Sequence, residues 1–254
     1  VASVQHALEQ RRLRRENSLL KKRIFPGNLE HPEAFTAVVT NNSTMHAVFQ
    51  YCEAIAASTL PVLITGETGV GKELIARALH TLSKRPGPFV PVNVAGLDDT
   101  VFSDTLFGHR KGAFTGAEEA RQGLVSRATD GTLFLDEIGD LSPASQVKLL
   151  RLVQEHEYYP VGSDVPHMAQ VRIIAATNKS MHELQQPGSA FRKDLFYRLC
   201  SHHIHIPPLR ERMDDLPLLF EHFMQEAATA LNRPVPELSL IHISEPTRLL
   251  SISY

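Results

Sequence analysis

Hydrophobic and polar positions fall in blocks along this chain. Four short runs, "PVLIT" (61–65), "FVPVN" (89–93), "TLFLD" (132–136) and "VRIIAAT" (171–177), are apolar and β-rich with little polar alternation. A strand with one wet face alternates and a strand covered on both faces does not, so these runs predict parallel strands inside a sheet. Helical stretches separate them, at 72–82, roughly 98–107, 143–156 and 181–185, and "HHIHI" (202–206) is a fifth candidate strand. Such alternation predicts an α/β fold built on a doubly wound parallel sheet flanked by helices. Residues 25–42 read as loop, and after "PPLRER" (207–212) an amphipathic helix over 214–231 begins a new unit.

The N-terminal block has a different pattern. Residues 3–24 lack Gly and Pro and close at Pro26-Gly27, which predicts a helix. Leu13, Asn17, Leu20 and Ile24 are spaced 4, 3 and 4, a short coiled-coil seam. Its basic residues (Arg11, Arg12, Arg14, Arg15, Lys21, Lys22, Arg23) have no interleaved aromatics, so they read as a solvated face rather than a nucleic-acid patch.

Composition narrows the class. The 254 residues are 43% hydrophobic and 21% charged, enough for one large core or two small domains, and the net charge of -2 gives no global pull toward nucleic acid. Cys52 and Cys200 lie far apart without metal-ligand spacing, which suits reduced thiols in a cytoplasmic protein. No apolar run approaches membrane-spanning length, and the charged N-terminus is not a signal peptide. The chain opens on Val1 inside the expected helix and reads as part of something longer.

Chemistry enters at "GETGVGKE" (66–73), where an apolar strand turns into a helix. Gly66, Gly69 and Gly71 let backbone amides turn inward around phosphate, with Glu67, Thr68 and Val70 between them. Lys72 supplies a point charge to the β- and γ-phosphates, and Glu73 stands where the P-loop pattern has a hydroxyl. "GTLFLDE" (131–137) ends in two carboxylates at the strand edge where phosphates sit. Asp136 can hold Mg²⁺ through water, and Glu137 can polarise an attacking water. "VRIIAATN" ends in Thr177 and Asn178, which can bond the γ-phosphate or that water; Asn178 also reads as a helix cap. "FRKDLFYRL" (191–199) carries Arg192 and Arg198, either surface ion-pairing residues or guanidinium groups delivered to a neighbouring subunit's phosphoryl group.

"GAFTGA" (112–117) fits neither a buried helix nor a polar loop. Gly112, Ala113, Gly116 and Ala117 surround Phe114 and Thr115, placing an aromatic at the tip of a flexible segment. Taken in order, the P-loop, "LDE", "AATN", "FRKDLFYRL", "PPLRER" and above all "GAFTGA" resemble the central AAA+ domain of NtrC-type sigma-54 activators, the bacterial enhancer-binding proteins, over residues 40–231. The resemblance implies an ATPase using ATP and Mg²⁺, with Lys72 as the Walker A lysine and Asp136 and Glu137 as Walker B. It also implies Thr177 and Asn178 as sensor I, Asn93 as restraint on the catalytic glutamate, and Arg192 and Arg198 as trans fingers. Such fingers imply a homo-oligomeric ring, usually a hexamer. Phe114 and Thr115 would touch sigma-54 in the RNA polymerase holoenzyme as nucleotide state raises or lowers their loop.

The same resemblance divides the chain into a linker helix (1–24, following a response-regulator receiver), an α/β ATPase unit (25–212) and a truncated helical lid (213–237). Residues 238–254, "LSLIHISEPTRLLSISY", break the family pattern and resemble a translated transposase sequencing adapter, which makes them an expected assembly artefact. Enhancer DNA would then be reached only through a missing C-terminal domain. Two rival readings are an AAA+ remodeller with another client and a DNA-binding regulator that uses nucleotide as a switch. GAFTGA opposes the first; Glu137 and the arginines oppose the second.

Overall fold

The computed structural model describes residues 28–186 and 188–233. The expected linker helix and the adapter-like tail lie outside the described residues. The first elements are a 3-10 turn (Pro32–Phe35), inside the segment expected to be loop, and helix α1 (Ser43–Ile55). Strand β1 (Val62–Thr65), helix α2 (Lys72–Ser83), strand β2 (Phe89–Asn93) and helix α3 (Asp99–Phe107) follow. Next come two-residue strands β3 (Gly108–His109) and β4 (Arg121–Gln122), then helix α4 (Leu124–Arg127), strand β5 (Thr132–Asp136) and helix α5 (Pro143–Glu155). A second pair of short strands, β6 (Glu157–Tyr158) and β7 (His167–Met168), precedes strand β8 (Arg172–Thr177). Helices α6 (Met181–Gln185) and α7 (Lys193–Leu199), strand β9 (His202–His205) and helix α8 (Leu216–Ala230) complete the series.

Five strands form one parallel sheet in the order β2-β5-β8-β1-β9. All four residues of β1 and all six of β8 are buried, the reason their runs lack polar alternation. Successive side chains leave opposite faces. Leu63, Leu133, Leu135, Ile173 and Ala175 pack with Phe102, Leu106, Leu149 and Leu195 on one side. Val62, Ile64, Phe134, Ile174 and Ala176 pack with Met45, Phe49, Ile75 and Leu79 on the other. The outermost strands β2 and β9 are less covered, and β2 tolerates Pro91 because an edge strand can spare a donor.

The helix boundaries have local causes. Asn42 caps α1 by accepting from Thr44 and Met45, Asp98 caps α3, and Ser142 followed by Pro143 starts α5. Arg172, fully buried, donates to the Ala56 and Ile55 carbonyls at 2.8 and 2.9 Å and so closes the end of α1. Burial, then the nearby Arg85, pushes its pKa down to about 10. No helix among the described residues is long and apolar enough to cross a membrane.

Candidate nucleotide site and the glycine-flanked loop

Parallel strands put their C-terminal ends on one edge, and three of those ends build the site. Strand β1 runs into the P-loop, whose Gly71 takes φ 98 as the N-cap of α2. The first-turn amides and the positive dipole end of a 12-residue helix therefore face the same space. Lys72 is 6% exposed; its Nζ donates to the Gly66 and Glu67 carbonyls at 3.1 and 3.3 Å and lies 3.4 Å from Glu137 Oε1. Glu73 pairs with Arg77 along the outside of α2, at 2.6 Å.

Asp136 ends β5 and accepts the Glu137 amide at 2.9 Å. Desolvation pushes its pKa up, opposed by Lys72 and reinforced by Glu137. Glu137 adopts φ 58, a left-handed backbone seldom taken by a side-chain-bearing residue. Its carboxylate is pinned from two sides, by Lys72 at Oε1 and by the Asn178 amide at Oε2, 3.1 Å away. Strain of this kind is held only where the surroundings dictate one pose. No signal in the sequence announced that backbone conformation.

Thr177, buried, accepts from the Lys179 amide through Oγ1 at 3.2 Å, and its carbonyl accepts from Gly66 at 3.3 Å. Asn178 is exposed beside Glu137. The helix-cap alternative for Asn178 is overturned: Ser180 caps α6, in a capping box with Glu183. Asn93 lies in register with Asp136, but its side-chain oxygen accepts from the Ala95 amide at 2.8 Å. Arg192 makes two bonds to Asp194, and its amide donates to buried Gln146. Arg198 lies beside Pro61, Asp130 and Val171, at the sheet edge opposite the P-loop. Lys72, Asp136, Glu137, Thr177 and Asn178 thus converge within one chain, and the two arginines do not join them.

Sequence reasoning missed the brace on the P-loop. Arg210 forms a two-pronged ion pair with Glu67 at 2.6 and 2.8 Å, and Arg212 donates to the Val70 carbonyl at 3.2 Å. Arg212 also pairs with Asp215, which is fully buried and accepts from Thr40, Asn41 and Asn42. "PPLRER" held the arginines in view, but only the fold brings them to the loop.

Gly112–Ala117 forms a tight excursion on the stem made by β3 and β4. Gly112 and Gly116 take φ 80 and 97, and the Gly112 amide donates to the Ala117 carbonyl at 2.8 Å. Phe114 is 41% exposed and Thr115 is exposed beside it. The segment 157–168, given no element from the sequence, supports this loop: Val161 donates to Gly108 and accepts from Arg110, at 2.8 and 3.1 Å. Gly162, at φ 77, lies so close that a Cβ would come within 2.8 Å of Ala113 Cβ. We expect Gly162→Ala to lower unfolding free energy by about 1–2 kcal/mol from backbone strain. Urea titration with hydrogen exchange at Ala113 checks this; unchanged exchange there would contradict the contact.

Lys72 and the helix start fit phosphate. Asp136 fits a magnesium ion only in part. Among the described residues no group of three or more His, Cys, Asp or Glu side chains can hold a metal alone, so nucleotide oxygens and water must complete the sphere.

The family described as the sigma-54 interaction domain matches residues 38–205. The chain is 45% identical over 208 residues to the regulatory protein AtoC of Escherichia coli (strain K12), covering 82% of this chain and 45% of that protein. It is 43% identical over 230 residues to the DNA-binding transcriptional regulator NtrC of Salmonella typhimurium, covering 90% and 48%. Crystal structures of NtrX from Brucella abortus are similar in fold. The complex with ATP has a TM-score of 0.72 at 32% identity, covering 94% of this chain and 52% of that one. The complex with ADP has a TM-score of 0.72 at 31% identity, covering 94% and 48%. The chain spans about half the length of these relatives.

Proposed function

Because this chain belongs to the sigma-54 interaction domain family, we propose that it is the ATP-hydrolysing motor of a sigma-54 activator, which remodels the closed RNA polymerase–promoter complex through its Gly112–Ala117 loop. The observation that carries the reading is the pinned, left-handed Glu137 between Lys72 and Asn178. A nucleotide switch has no need of a strained carboxylate at the phosphate edge.

Lys72 and the α2 amides bind the β- and γ-phosphates. Asp136 would hold Mg²⁺ through water, and the ion would supply positive charge against the phosphate oxygens. Glu137 orients a water toward the γ-phosphorus and accepts its proton; the water oxygen–phosphorus bond forms as the bond to the β–γ bridging oxygen breaks, giving ADP and inorganic phosphate. Phosphate oxygens compete with Glu137 for Lys72, which frees the carboxylate for that water. Thr177 and Asn178 register the γ-phosphate at the end of β8. Arg192 and Arg198 act on a neighbour's nucleotide in a ring, usually six-membered, and an arginine supplied in trans is worth roughly 10³–10⁵ in rate. The placement of Arg198 at the far sheet edge supports that division of labour.

Mixing tests it. Arg198→Ala and Lys72→Ala proteins should each be inactive alone. Mixed rings should regain ATP turnover, because Lys72→Ala subunits still offer Arg198 to a neighbour's intact P-loop. No recovery at any ratio would make the role of Arg198 internal.

A further inference from the structure

Among the groups the nucleotide site does not use, the stem of the glycine-flanked loop carries a compact charged cluster. His109 on β3 lies 11% exposed, with Nδ1 at 2.5 Å from Asp104 Oδ1 at the end of α3. Its Nε2 lies 2.9 Å from the Glu119 carbonyl on the returning arm. Asp104, 17% exposed, also takes Arg121 of β4 at 2.6 Å through its other oxygen. The His109 ring meets Phe114 edge-on, with centroids 4.9 Å apart. One imidazole therefore joins α3, both arms of the loop and the aromatic at its tip.

Both ring contacts of His109 are to acceptor oxygens. A carboxylate and a backbone carbonyl only accept, so both nitrogens must donate. A neutral imidazole has one N–H and fills one contact; the imidazolium fills both. The geometry points to His109 as the positioning residue of the Gly112–Ala117 loop, a latch complete only with both ring nitrogens protonated and one contact short when either is not. The titratable and charged groups around it are Asp104 from α3, Glu119 on the returning arm, Arg121 from β4, Arg110 next along the chain, and Tyr158 and His167 of the β6–β7 pair, the last four sharing its groove. Asp104 is the group that makes the latch electrostatic, and Arg121 keeps that carboxylate oriented.

The effect on sigma-54 rests on the reading above. The latch itself is read on the full chain without any partner, so failure of one is distinguishable from failure of the other. Hydrogen exchange at the Ala113, Ala117 and Glu118 amides, corrected for intrinsic rate, is followed from pH 5.5 to 8.5. Protection should fall across that range as pH rises, by about five- to tenfold, the size of one hydrogen bond. His109→Gln and Asp104→Asn should both flatten the profile while leaving ATP turnover unchanged, and Asp104→Glu should restore part of it. Nitrogen NMR of the ring should show both nitrogens protonated at the low-pH end. The latch is overturned by a pH-independent wild type, by the same pH step in His109→Gln, or by a singly protonated ring where the loop is most protected.

Discussion

Thr115→Ala leaves ATP turnover within about twofold of wild type, as expected of an exposed substitution remote from special features, and abolishes association with sigma-54. Thr115 is exposed at the tip of a loop on the β3–β4 stem, and none of the contacts that hold Lys72 or Glu137 passes through it. Interfaces concentrate their energy in a few central anchors, and removing one costs about 2 kcal/mol or more, which is roughly thirtyfold in affinity. Phe114 beside it is 41% exposed and, on the proposed reading, would supply the apolar body of such an anchor. Parallel ATPase assays and sigma-54 binding in a transition-state-mimic complex measure the two effects. Equal loss of both would show that the tip belongs to the nucleotide machinery rather than to a client contact.

Glu137→Gln gives the opposite separation. Glutamine keeps the shape and can still accept from the Asn178 amide, now at 3.1 Å from Glu137 Oε2, but it loses the charge that orients water. Positioned acid–base groups contribute roughly 10²–10⁴-fold, and turnover should fall by that order. Nucleotide affinity should hold or rise, because Lys72 no longer has a carboxylate competing with phosphate at 3.4 Å. Single-turnover hydrolysis and equilibrium binding of labelled ATP distinguish the two. Unchanged turnover would remove Glu137 from the chemistry.

Much of the fold was legible because burial on both faces leaves a plain mark. The runs at 61–65, 132–136 and 171–177 are almost uninterruptedly apolar, and each became a sheet strand. "FVPVN" and "HHIHI" were legible too, but became the outer strands, where Pro91 and the histidines find room. The helix expected over 214–231 spans Leu216–Ala230, delayed by a 3-10 turn at Met213–Asp215. The short pairs β3–β4 and β6–β7 left almost no trace, since two-residue strands have no periodicity to read.

The candidate site divides in the same way. Lys72, Asp136 and Glu137 were legible because glycine spacing and strand-end carboxylates carry their own chemistry. The left-handed backbone of Glu137, the Arg210–Glu67 brace and the Asp104–His109–Arg121 cluster were not. Each depends on residues that meet only through the fold: 143 positions separate Arg210 from Glu67, and 17 separate Arg121 from Asp104. Arg192 and Arg198 remain apart from the chain's own P-loop, bonded to Asp194 and placed at the opposite sheet edge respectively.

The most direct test of the account is association with sigma-54 across nucleotide states. Apo, ADP, ATP-analogue and transition-state-mimic forms are each passed over immobilised sigma-54. The account predicts capture in the transition-state-mimic form, weak or no capture with ADP, and loss of capture in Thr115→Ala. A protein that hydrolyses ATP yet binds sigma-54 in none of these states would contradict it.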